Sequence, residues 1–268
     1  MLAKRLLSAF IGIALIVPTF IYLRGLSMIL VYGAMIISLF EFFTMFSGDQ
    51  EDEPPFVYLF NCFFFLMLLD YVDYSKSASL FLLTLVFLFN FLFFHKKLAT
   101  LPLYLGMNLL ACFYIVLPLF HFILYLRIPQ GQYWLMMILA GTWMGDSGAY
   151  LFGNLWGKHK LFPRISPGKT WEGLAGQILG AAAGAFLWRL CFMPAAAKPT
   201  LRDTLALTAI AALLGPLGDL CESMFKRAFN TKDSGSIMPG HGGLLDRIDG
   251  ILFTGPAFFY YLSHFRGS

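Results

Sequence analysis

Apolar residues run along this chain in long stretches that are separated by short polar segments. Each stretch is close to the ~20 residues that a helix needs to cross a bilayer. The stretches cover residues 6–23, 26–46, 56–72, 78–94, 101–126, 133–156, 171–193, 204–225 and 248–264. We therefore predict an all-α, polytopic integral membrane protein with about nine transmembrane helices, with eight or ten as the alternatives.

The overall composition agrees with this interpretation. Of the 268 residues, 59% are hydrophobic and only 13% are charged, and the mean hydropathy is +0.72. A soluble domain of this size could not bury so many apolar side chains. The four cysteines lie in apolar stretches without CxxC spacing, which favours small core residues over a disulfide frame or a zinc site. Basic residues border the apolar stretches instead of forming a basic domain, so we expect no nucleic-acid partner.

Charged residues predict how the chain lies in the membrane. Lys4 and Arg5 precede the first apolar stretch, and no small-x-small cleavage site follows it, so we interpret it as a retained helix. With this end in the cytoplasm, nine crossings place twelve Lys and Arg residues inside and six outside, as the positive-inside rule prefers. The loops 95–97, 157–170 and 229–247 then share the cytoplasmic side.

Polar content divides the chain into two regions. Residues 1–130 form the N-terminal transmembrane helices, and residues 131–268 form a C-terminal transmembrane region with cytoplasmic loops, where we expect the catalysis. In the first region Glu41 has two interpretations, a buried functional acid or an acid exposed at the membrane interface. The acidic segment 47–55 is typical of a solvated loop.

The part of the chain that begins at Asp219 and ends at Asp249 holds nine charged side chains in thirty-one residues. Burying such groups costs several kcal/mol each unless a partner compensates. Asp219, Glu222 and Lys226 share one face of a helix because their spacing is i, i+3, i+7. Asp246 and Asp249 repeat the i, i+3 arrangement. Oxygen ligands of this kind suit Mg²⁺, and four carboxylates in a low-dielectric site imply one or two cations.

A glycine-rich loop lies between the two pairs of acids. Gly240, Gly242 and Gly243 permit backbone conformations that expose successive N–H groups to an anion in front of a helix. The basic residues that flank this loop are Lys226, Arg227, Lys232 and Arg247. The combination predicts binding of phosphate together with metal. A basic surface loop with structural salt bridges is the alternative, but it leaves the paired acids on two membrane helices unexplained.

A second basic segment, residues 157–173, is expected on the same side of the membrane. Its GKT sequence is not part of a Walker A loop, because Pro163 stands where that motif requires glycine. We expect a turn to start at residues 166–167 and the next helix to begin at 170–172. Lys169 would then have a fixed position near a helix N-terminus, which suits a polyphosphate.

Asp146 is an acid inside the sixth apolar stretch, twelve residues after Trp134. At this depth an acid is expected to face protein, water or an ion. The alternative is that it only forms a hydrogen bond to a neighbouring helix. Gly145 and Gly148 beside it allow a second helix to approach closely.

Metal-bound phosphates indicate phosphoryl or nucleotidyl transfer, in which the protein mainly positions substrates and neutralises charge. No serine or cysteine with an adjacent base stands out as a nucleophile, so direct attack of one substrate on the other is the simpler chemistry. A cation transporter is the rival interpretation, because intramembrane acids also mark ion paths. The glycine-rich basic loop is a feature that a cation path does not need.

The C-terminal motifs are long and specific. They are Ser223-x-Phe225-Lys226-Arg227, Lys232-Asp233-x-Gly235 and Pro239-x-His241-Gly242-Gly243-x-x-Asp246-Arg247-x-Asp249, together with GDSGAYLFG around Asp146 and SPGKTWEG at 166–173. In this order and spacing they resemble the phosphatidate cytidylyltransferase (CDP-diacylglycerol synthase) family. The first 130 residues match that family only as hydrophobic helices.

The resemblance implies the reaction CTP + phosphatidate → CDP-diacylglycerol + pyrophosphate, with Mg²⁺ as cofactor, as one metal ion or two. It also implies contact with membrane lipids, a homodimer, and a bacterial cytoplasmic (inner) membrane with the active site facing the cytoplasm. A CTP-dependent polyprenol kinase or an ether-lipid cytidylyltransferase is the runner-up, because no residue pattern fixes the base as cytosine.

Carried onto this chain, the resemblance assigns roles to individual residues. The catalytic residues are Asp219, Lys226, Asp246, Arg247 and Asp249. The metal ligands are Asp219, Asp246 and Asp249, with Glu222 and Asp146 as secondary candidates. The substrate-binding residues are Lys169, Lys226, Arg227, Lys232, Gly240, His241, Gly242 and Gly243.

Overall fold

The computed structural model describes residues 15–47, 55–71, 76–94, 98–235, 237 and 242–266. Helices dominate this part of the chain, and a short β-hairpin accompanies them. The helices are α1 (described over 15–22), α2 (Arg24–Ser47), α3 (Pro55–Tyr71), α4 (Lys76–Phe94), α5 (Leu98–Arg127), α6 (Gly131–Trp156), α7 (Trp171–Cys191), α8 (Leu201–Ala228) and α9 (Leu245–Tyr261). The strands are β1 (Lys160–Phe162) and β2 (Ser166–Thr170).

The helical class predicted from the apolar stretches is confirmed. Each stretch coincides with one helix to within a few residues at the described ends. Within the described ranges, four helices are long and apolar enough to cross a membrane, namely Arg24–Phe46, Leu98–Arg127, Trp171–Cys191 and Leu201–Ala228. The chain therefore has a membrane-type helical fold, and the number of nine crossings stays a prediction.

Glycine lets helices α6 and α7 pack with their backbones in contact. A Cβ atom on Gly148 would lie 2.3 Å from the carbonyl oxygen of Gly176, and one on Gly180 would lie 2.1 Å from that of Met144. Small residues at four-residue intervals are the usual means by which membrane helices approach this closely. The close helix approach predicted at Gly145 and Gly148 is thus confirmed, and it fixes Asp146 against α7.

We expect Gly180→Ala to destabilise the protein, because its methyl group would meet a backbone carbonyl that cannot rotate away. Overpacking of this kind costs about 1–3 kcal/mol. Thermal unfolding in detergent measures the effect, and Gly33→Ala in α2 is the matched control, because nothing lies within 4 Å of that position. Equal melting midpoints for the two variants would contradict close packing at Gly180.

Helices α8 and α9 also meet at glycine. A Cβ atom on Gly218 would lie 2.3 Å from the carbonyl oxygen of Asp249, and one on Gly250 would lie 3.3 Å from that of Gly215. The first turn of α9 is therefore pressed against the second half of α8. This contact brings acids that are far apart in sequence to one place.

The N-terminus of α8, at the end far from this contact, is capped by polar side chains. Thr200 and Asp203 form a reciprocal capping box at the helix N-terminus, with distances of 3.1 and 2.8 Å. The hydroxyl of Tyr261 donates a hydrogen bond to Asp203 over 3.0 Å. Since α8 rises ~1.5 Å per residue, this cap lies more than ~20 Å along the helix from Asp219.

The segment between α6 and α7 forms an antiparallel hairpin, a small β element that the all-helical prediction did not include. Lys160 pairs with Thr170, and the turn occupies residues 163–165. The turn predicted at residues 166–167 was wrong, because both residues lie in β2, where Pro167 favours an extended backbone at the residue before it. Thr170 ends the strand and caps α7 by accepting a hydrogen bond from Gly173 N, as the predicted helix start required.

Candidate active site

Three carboxylates from two helices form an acidic cluster. One oxygen atom each of Asp219, Glu222 and Asp249 lies within 4.8 Å of the other two. The first two residues are one helical turn apart on α8, and Asp249 comes from the first turns of α9. The predicted meeting of acids from the two helices is found at these three residues, and we call them the acidic cluster.

The acidic cluster has the properties of a site for a hard divalent cation. Ionised carboxylates this close repel one another, and a divalent cation would remove the repulsion. Glu222 is only 1% exposed, and its Oε1 atom has no hydrogen-bond partner among the described residues. A buried carboxylate oxygen of this kind is costly unless something binds it. Oxygen ligands suit Mg²⁺.

Lys169 reaches the acidic cluster from the hairpin. Its Nζ atom lies 2.8 Å from Asp219 Oδ2 and donates a hydrogen bond of 2.8 Å to the carbonyl oxygen of Pro216. The side chain of Lys169 is 17% exposed, so most of its length is buried against α8. Its position follows from β2, which ends one residue later at the cap of α7.

The base of the hairpin is held by a contact between His159 and Glu172. His159 Nδ1 lies 2.6 Å from Glu172 Oε1, and the backbone N–H of His159 donates to the same carboxylate. Trp171 N donates a hydrogen bond of 3.0 Å to His159 O. These contacts fix the strand that carries Lys169 to the start of α7.

Lys226 connects the acidic cluster to the loop that precedes α9. Its Nζ atom lies 2.8 Å from Glu222 Oε2 and 2.5 Å from Asp246 Oδ1. Lys226 therefore binds one oxygen of Glu222, Oε2, while Oε1 has no hydrogen-bond partner among the described residues. The lysine neutralises one edge of the acidic cluster, as Lys169 does at the other.

Asp246 organises the loop and lies outside the acidic cluster. Its Oδ1 atom pairs with Lys226, and its Oδ2 atom accepts hydrogen bonds from Ser234 N, Ser234 Oγ and Gly243 N over 3.0, 2.9 and 2.8 Å. Both oxygens thus have protein donors. Asp246, which the sequence assigned as a metal ligand, joins residues 234 and 243, whereas the three acids that lie close together are Asp219, Glu222 and Asp249. A metal-binding role of Asp246 stays a prediction.

Glu41 of α2 caps the N-terminus of α9. Its side chain is 2% exposed, and it accepts hydrogen bonds from Leu244 N and Leu245 N over 2.9 and 2.8 Å. Ser234 Oγ lies 3.3 Å from Glu41 Oε2 and 2.9 Å from Asp246 Oδ2, and its single hydrogen can be donated to either carboxylate. A carboxylate is favourable here because the first N–H groups of a helix lack partners and carry partial positive charge. Of the two interpretations of Glu41, the structure supports burial.

These contacts change the role predicted for the glycine loop. The N–H groups of residues 243–245 bind the carboxylates of Asp246 and Glu41, so their anion is supplied by the protein itself. The N–H of Gly243 donates to Asp246, and its predicted binding of phosphate stays a prediction. Gly243 is required for a different reason, because a Cβ atom there would lie 2.1 Å from Ser234 Oγ.

Gly242 is the residue at which the chain turns into α9. Its φ is +82°, a conformation that residues with a side chain rarely adopt. A Cβ atom at this position would also lie 2.7 Å from Asp246 Oδ2. Glycine here lets the loop fold over Asp246. The preceding Gly240 and His241, both predicted to bind substrate, lie outside the described residues.

Asp146 adjoins the acidic cluster from α6. Its Oδ1 atom accepts a hydrogen bond of 3.2 Å from Gln177 Nε2, so the alternative of a bond to the neighbouring helix is realised. The carboxylate is also close enough to Asp219 and Lys169 for their charges to affect it. Asp146 is thus a neighbour of the cluster rather than one of the three residues that form it.

The remaining predicted basic residues lie at the surface around the loop. Arg227, Lys232 and Arg247 are all exposed. Lys169 and Lys226, by contrast, are mostly buried, with 17% and 15% of their side chains exposed.

Two residues that hold the site had no role in the sequence-based assignment. Ser234 bridges Glu41 and Asp246, and Gln177 orients Asp146. Both are buried polar residues in surroundings that are otherwise apolar. The sequence does show that Gln177 lies in a glycine-rich segment and that Ser234 precedes Gly235. Neither pattern predicts which residue the side chain would bind.

Comparison with known proteins relates the chain to one family. A model of a cytidylyltransferase family matches residues 3–265. A phosphatidate cytidylyltransferase of Bacillus subtilis is 34% identical over 242 residues, which cover 88% of each chain. Proteins of the same name from Staphylococcus saprophyticus and Haemophilus influenzae are 43% identical over 133 residues and 36% identical over 163 residues. The match to the Staphylococcus saprophyticus protein covers 50% of each chain, and the match to the Haemophilus influenzae protein covers 58% of this chain and 57% of the relative.

Proposed function

The chain belongs to the cytidylyltransferase family, and we propose that it transfers CMP from CTP to phosphatidate, giving CDP-diacylglycerol and pyrophosphate. The observation that carries this proposal is the acidic cluster of α8 and α9 with a buried lysine at each edge. Such an arrangement suits a transfer in which highly charged phosphates must be held beside a cation. The named relatives supply the identity of the two substrates.

We propose Mg²⁺ as the cofactor, held by Asp219, Glu222 and Asp249 with Asp146 adjoining. When bound, it supplies neutralisation of charge on the phosphate oxygens. Supporting this assignment are the all-oxygen cluster and the unpartnered Glu222 Oε1. A second ion would use the remaining oxygens of the same acids, among them those of Asp146.

The lysines and arginines are proposed to bind the phosphates. Lys169 and Lys226 already neutralise carboxylates at the rim of the cluster, so each can share its charge with an arriving phosphate. The exposed Arg227, Lys232 and Arg247 attract the triphosphate or the lipid phosphate to the loop. Gly240, His241 and Gly242 are proposed to line the same loop.

The proposed chemical step is a direct displacement. A phosphate oxygen of phosphatidate attacks the α-phosphorus of CTP and forms the new P–O bond. The bond from that phosphorus to the bridging oxygen breaks, and pyrophosphate leaves with the electron pair. The protein contributes by fixing the two substrates in line and by neutralising the charge that the leaving group gains.

We further propose that residues 131–268 supply the reacting groups and that the site opens to the bacterial cytoplasm from the inner membrane. The count of basic residues in the predicted loops and the bacterial relatives support this location. A homodimer is proposed from the family resemblance alone. Light scattering of the detergent-purified protein tests it, and a monomeric mass would contradict it.

The function is tested by incubating the purified protein with phosphatidate, Mg²⁺ and one of CTP, ATP, GTP or UTP. We expect CDP-diacylglycerol, identified by mass, together with pyrophosphate, and only with CTP. A lipid that gains a single phosphate, or a product formed equally from all four nucleotides, would contradict the proposal. Cation flux into liposomes without lipid product would favour the transporter instead.

Lysine substitutions test which part of the hairpin meets the substrate. We expect Lys169→Ala to lower activity roughly 10- to 100-fold, because it leaves Asp219 without its buried partner and removes a phosphate ligand. Lys158→Ala should change activity less than about 5-fold, because an exposed charge contributes little. Steady-state kinetics with CTP measures both. Equal losses would show that the two lysines act alike.

A further inference from the structure

Helix α5 contains a π-helical turn in its middle. Residues Cys112–Val116 form a π-helical turn, in which Leu117 N donates to Cys112 O, five residues back. Pro118 explains this turn, because it has no N–H group to offer the carbonyl of Tyr114 four residues earlier. Turns of this kind inside helices are frequent at functional sites.

Tyr114 lies at the centre of this turn and packs between α8 and α9. Its ring centroid is 5.0 Å from that of Phe225 and 6.2 Å from that of Phe253. Phe225 follows Glu222 by three residues on α8, and Phe253 follows Asp249 by four residues on α9. The two aromatic partners of Tyr114 are therefore each about one helical turn from a carboxylate of the acidic cluster.

The hydroxyl of Tyr114 is the feature that calls for an explanation. Tyr114 is 7% exposed, and its OH group has no hydrogen-bond partner in the part of the chain that the structure describes. A buried hydroxyl without a partner is unfavourable. Glu222, Asp249 and Asp219 are the acids close enough to the hydroxyl for their charges to affect it. Glu222 Oε1 is itself a buried oxygen that has no partner among the residues described.

We propose that Tyr114 is a positioning residue of the active site, whose hydroxyl donates a hydrogen bond to an oxygen ligand of the cation held by the acidic cluster. The proposal rests on the proposed function for its cation. A donor hydroxyl and an unpartnered carboxylate oxygen, buried beside the same two helices, are both satisfied by this arrangement. Groups that hold metal ligands in this way affect metal affinity strongly although they do not touch the metal.

The test removes only the hydroxyl. Tyr114→Phe keeps the ring contacts, and we expect it to weaken binding of Mn²⁺, used as a probe for Mg²⁺, about 10- to 100-fold. Electron paramagnetic resonance of free Mn²⁺ measures this without nucleotide or lipid. Tyr125→Phe is the matched control, because Tyr125 lies on the same helix and donates a buried hydrogen bond of 3.1 Å to Gly255 O. That variant should bind Mn²⁺ like the parent.

Unchanged Mn²⁺ affinity in Tyr114→Phe would overturn the inference, even if the variant melts at a lower temperature. Equal weakening in both tyrosine variants would do the same, because it would indicate a general effect on the fold. Failure of the parent to bind Mn²⁺ would also overturn it. Intact Mn²⁺ binding without formation of CDP-diacylglycerol would overturn only the proposed function.

Discussion

Asp249→Asn is expected to abolish almost all transfer activity while the protein stays folded. The substitution keeps the size of the side chain but removes one of the three carboxylates of the acidic cluster. Loss of several kcal/mol of charge stabilisation in the transition state corresponds to a fall of about 1000-fold in kcat/KM. Without Mg²⁺, the melting midpoint should be equal to or above that of the parent, because repulsion among the carboxylates is reduced.

Incorporation of radiolabelled CTP into the lipid extract measures this loss on purified parent and variant. Asp233→Asn is the control, because Asp233 is an exposed acid of the same region that takes no part in the cluster. The control should retain activity close to that of the parent. Turnover by Asp249→Asn within a few-fold of the parent would refute the assignment of the cluster as the metal site.

Glu41→Gln is expected to lower both stability and activity, although residue 41 is proposed to touch no substrate. The amide keeps one acceptor oxygen but loses the charge that faces two backbone N–H groups and the hydroxyl of Ser234. A buried hydrogen bond to a charged group contributes about 1.5–3 kcal/mol. We expect a lower melting midpoint and a fall in kcat of roughly 10-fold or more, because the start of α9 carries Asp249.

Asp203→Asn separates the effect on stability from the effect on activity. Asp203 is also a buried acid that caps a helix, but it lies at the far end of α8 from the acidic cluster. Its substitution should lower the melting midpoint by a similar amount, since losing a cap costs about 0.5–2 kcal/mol. The kcat of its folded fraction should not change. If Glu41→Gln also kept the parent kcat, Glu41 would serve stability alone.

Much of the helical framework could be predicted, because an apolar stretch of about bilayer length indicates a membrane-spanning helix. Bilayer-length stretches coincide with helices α2 to α9, and the i, i+3 spacing placed Asp219 and Glu222 on one face. The meeting of α8 with α9 depends on Gly218 against the backbone of Asp249. Glycine marks a place where helices can approach, but it does not specify which helix approaches.

The details of the site depend on contacts over long sequence distances. Asp246 and Asp249 have the same residue type and neighbouring positions, yet one binds loop donors and the other joins the cluster. The difference arises because Ser234 and Gly243 surround Asp246. Glu41 meets its partners 203 and 204 residues later in the chain, and no local pattern contains that information. The hairpin escaped prediction because its strands are only 3 and 5 residues long.

The cap that Glu41 places on α9 also has a consequence for biosynthesis. The carboxylate enters the membrane region early, with α2, while its backbone donors are made some 200 residues later. Until α9 is inserted, this acid lacks its two backbone donors and must be hydrated, protonated or bound by another group. The candidate site is therefore completed only when α2 and α9 meet, and a fragment without α2 would lack one of the groups that shape it.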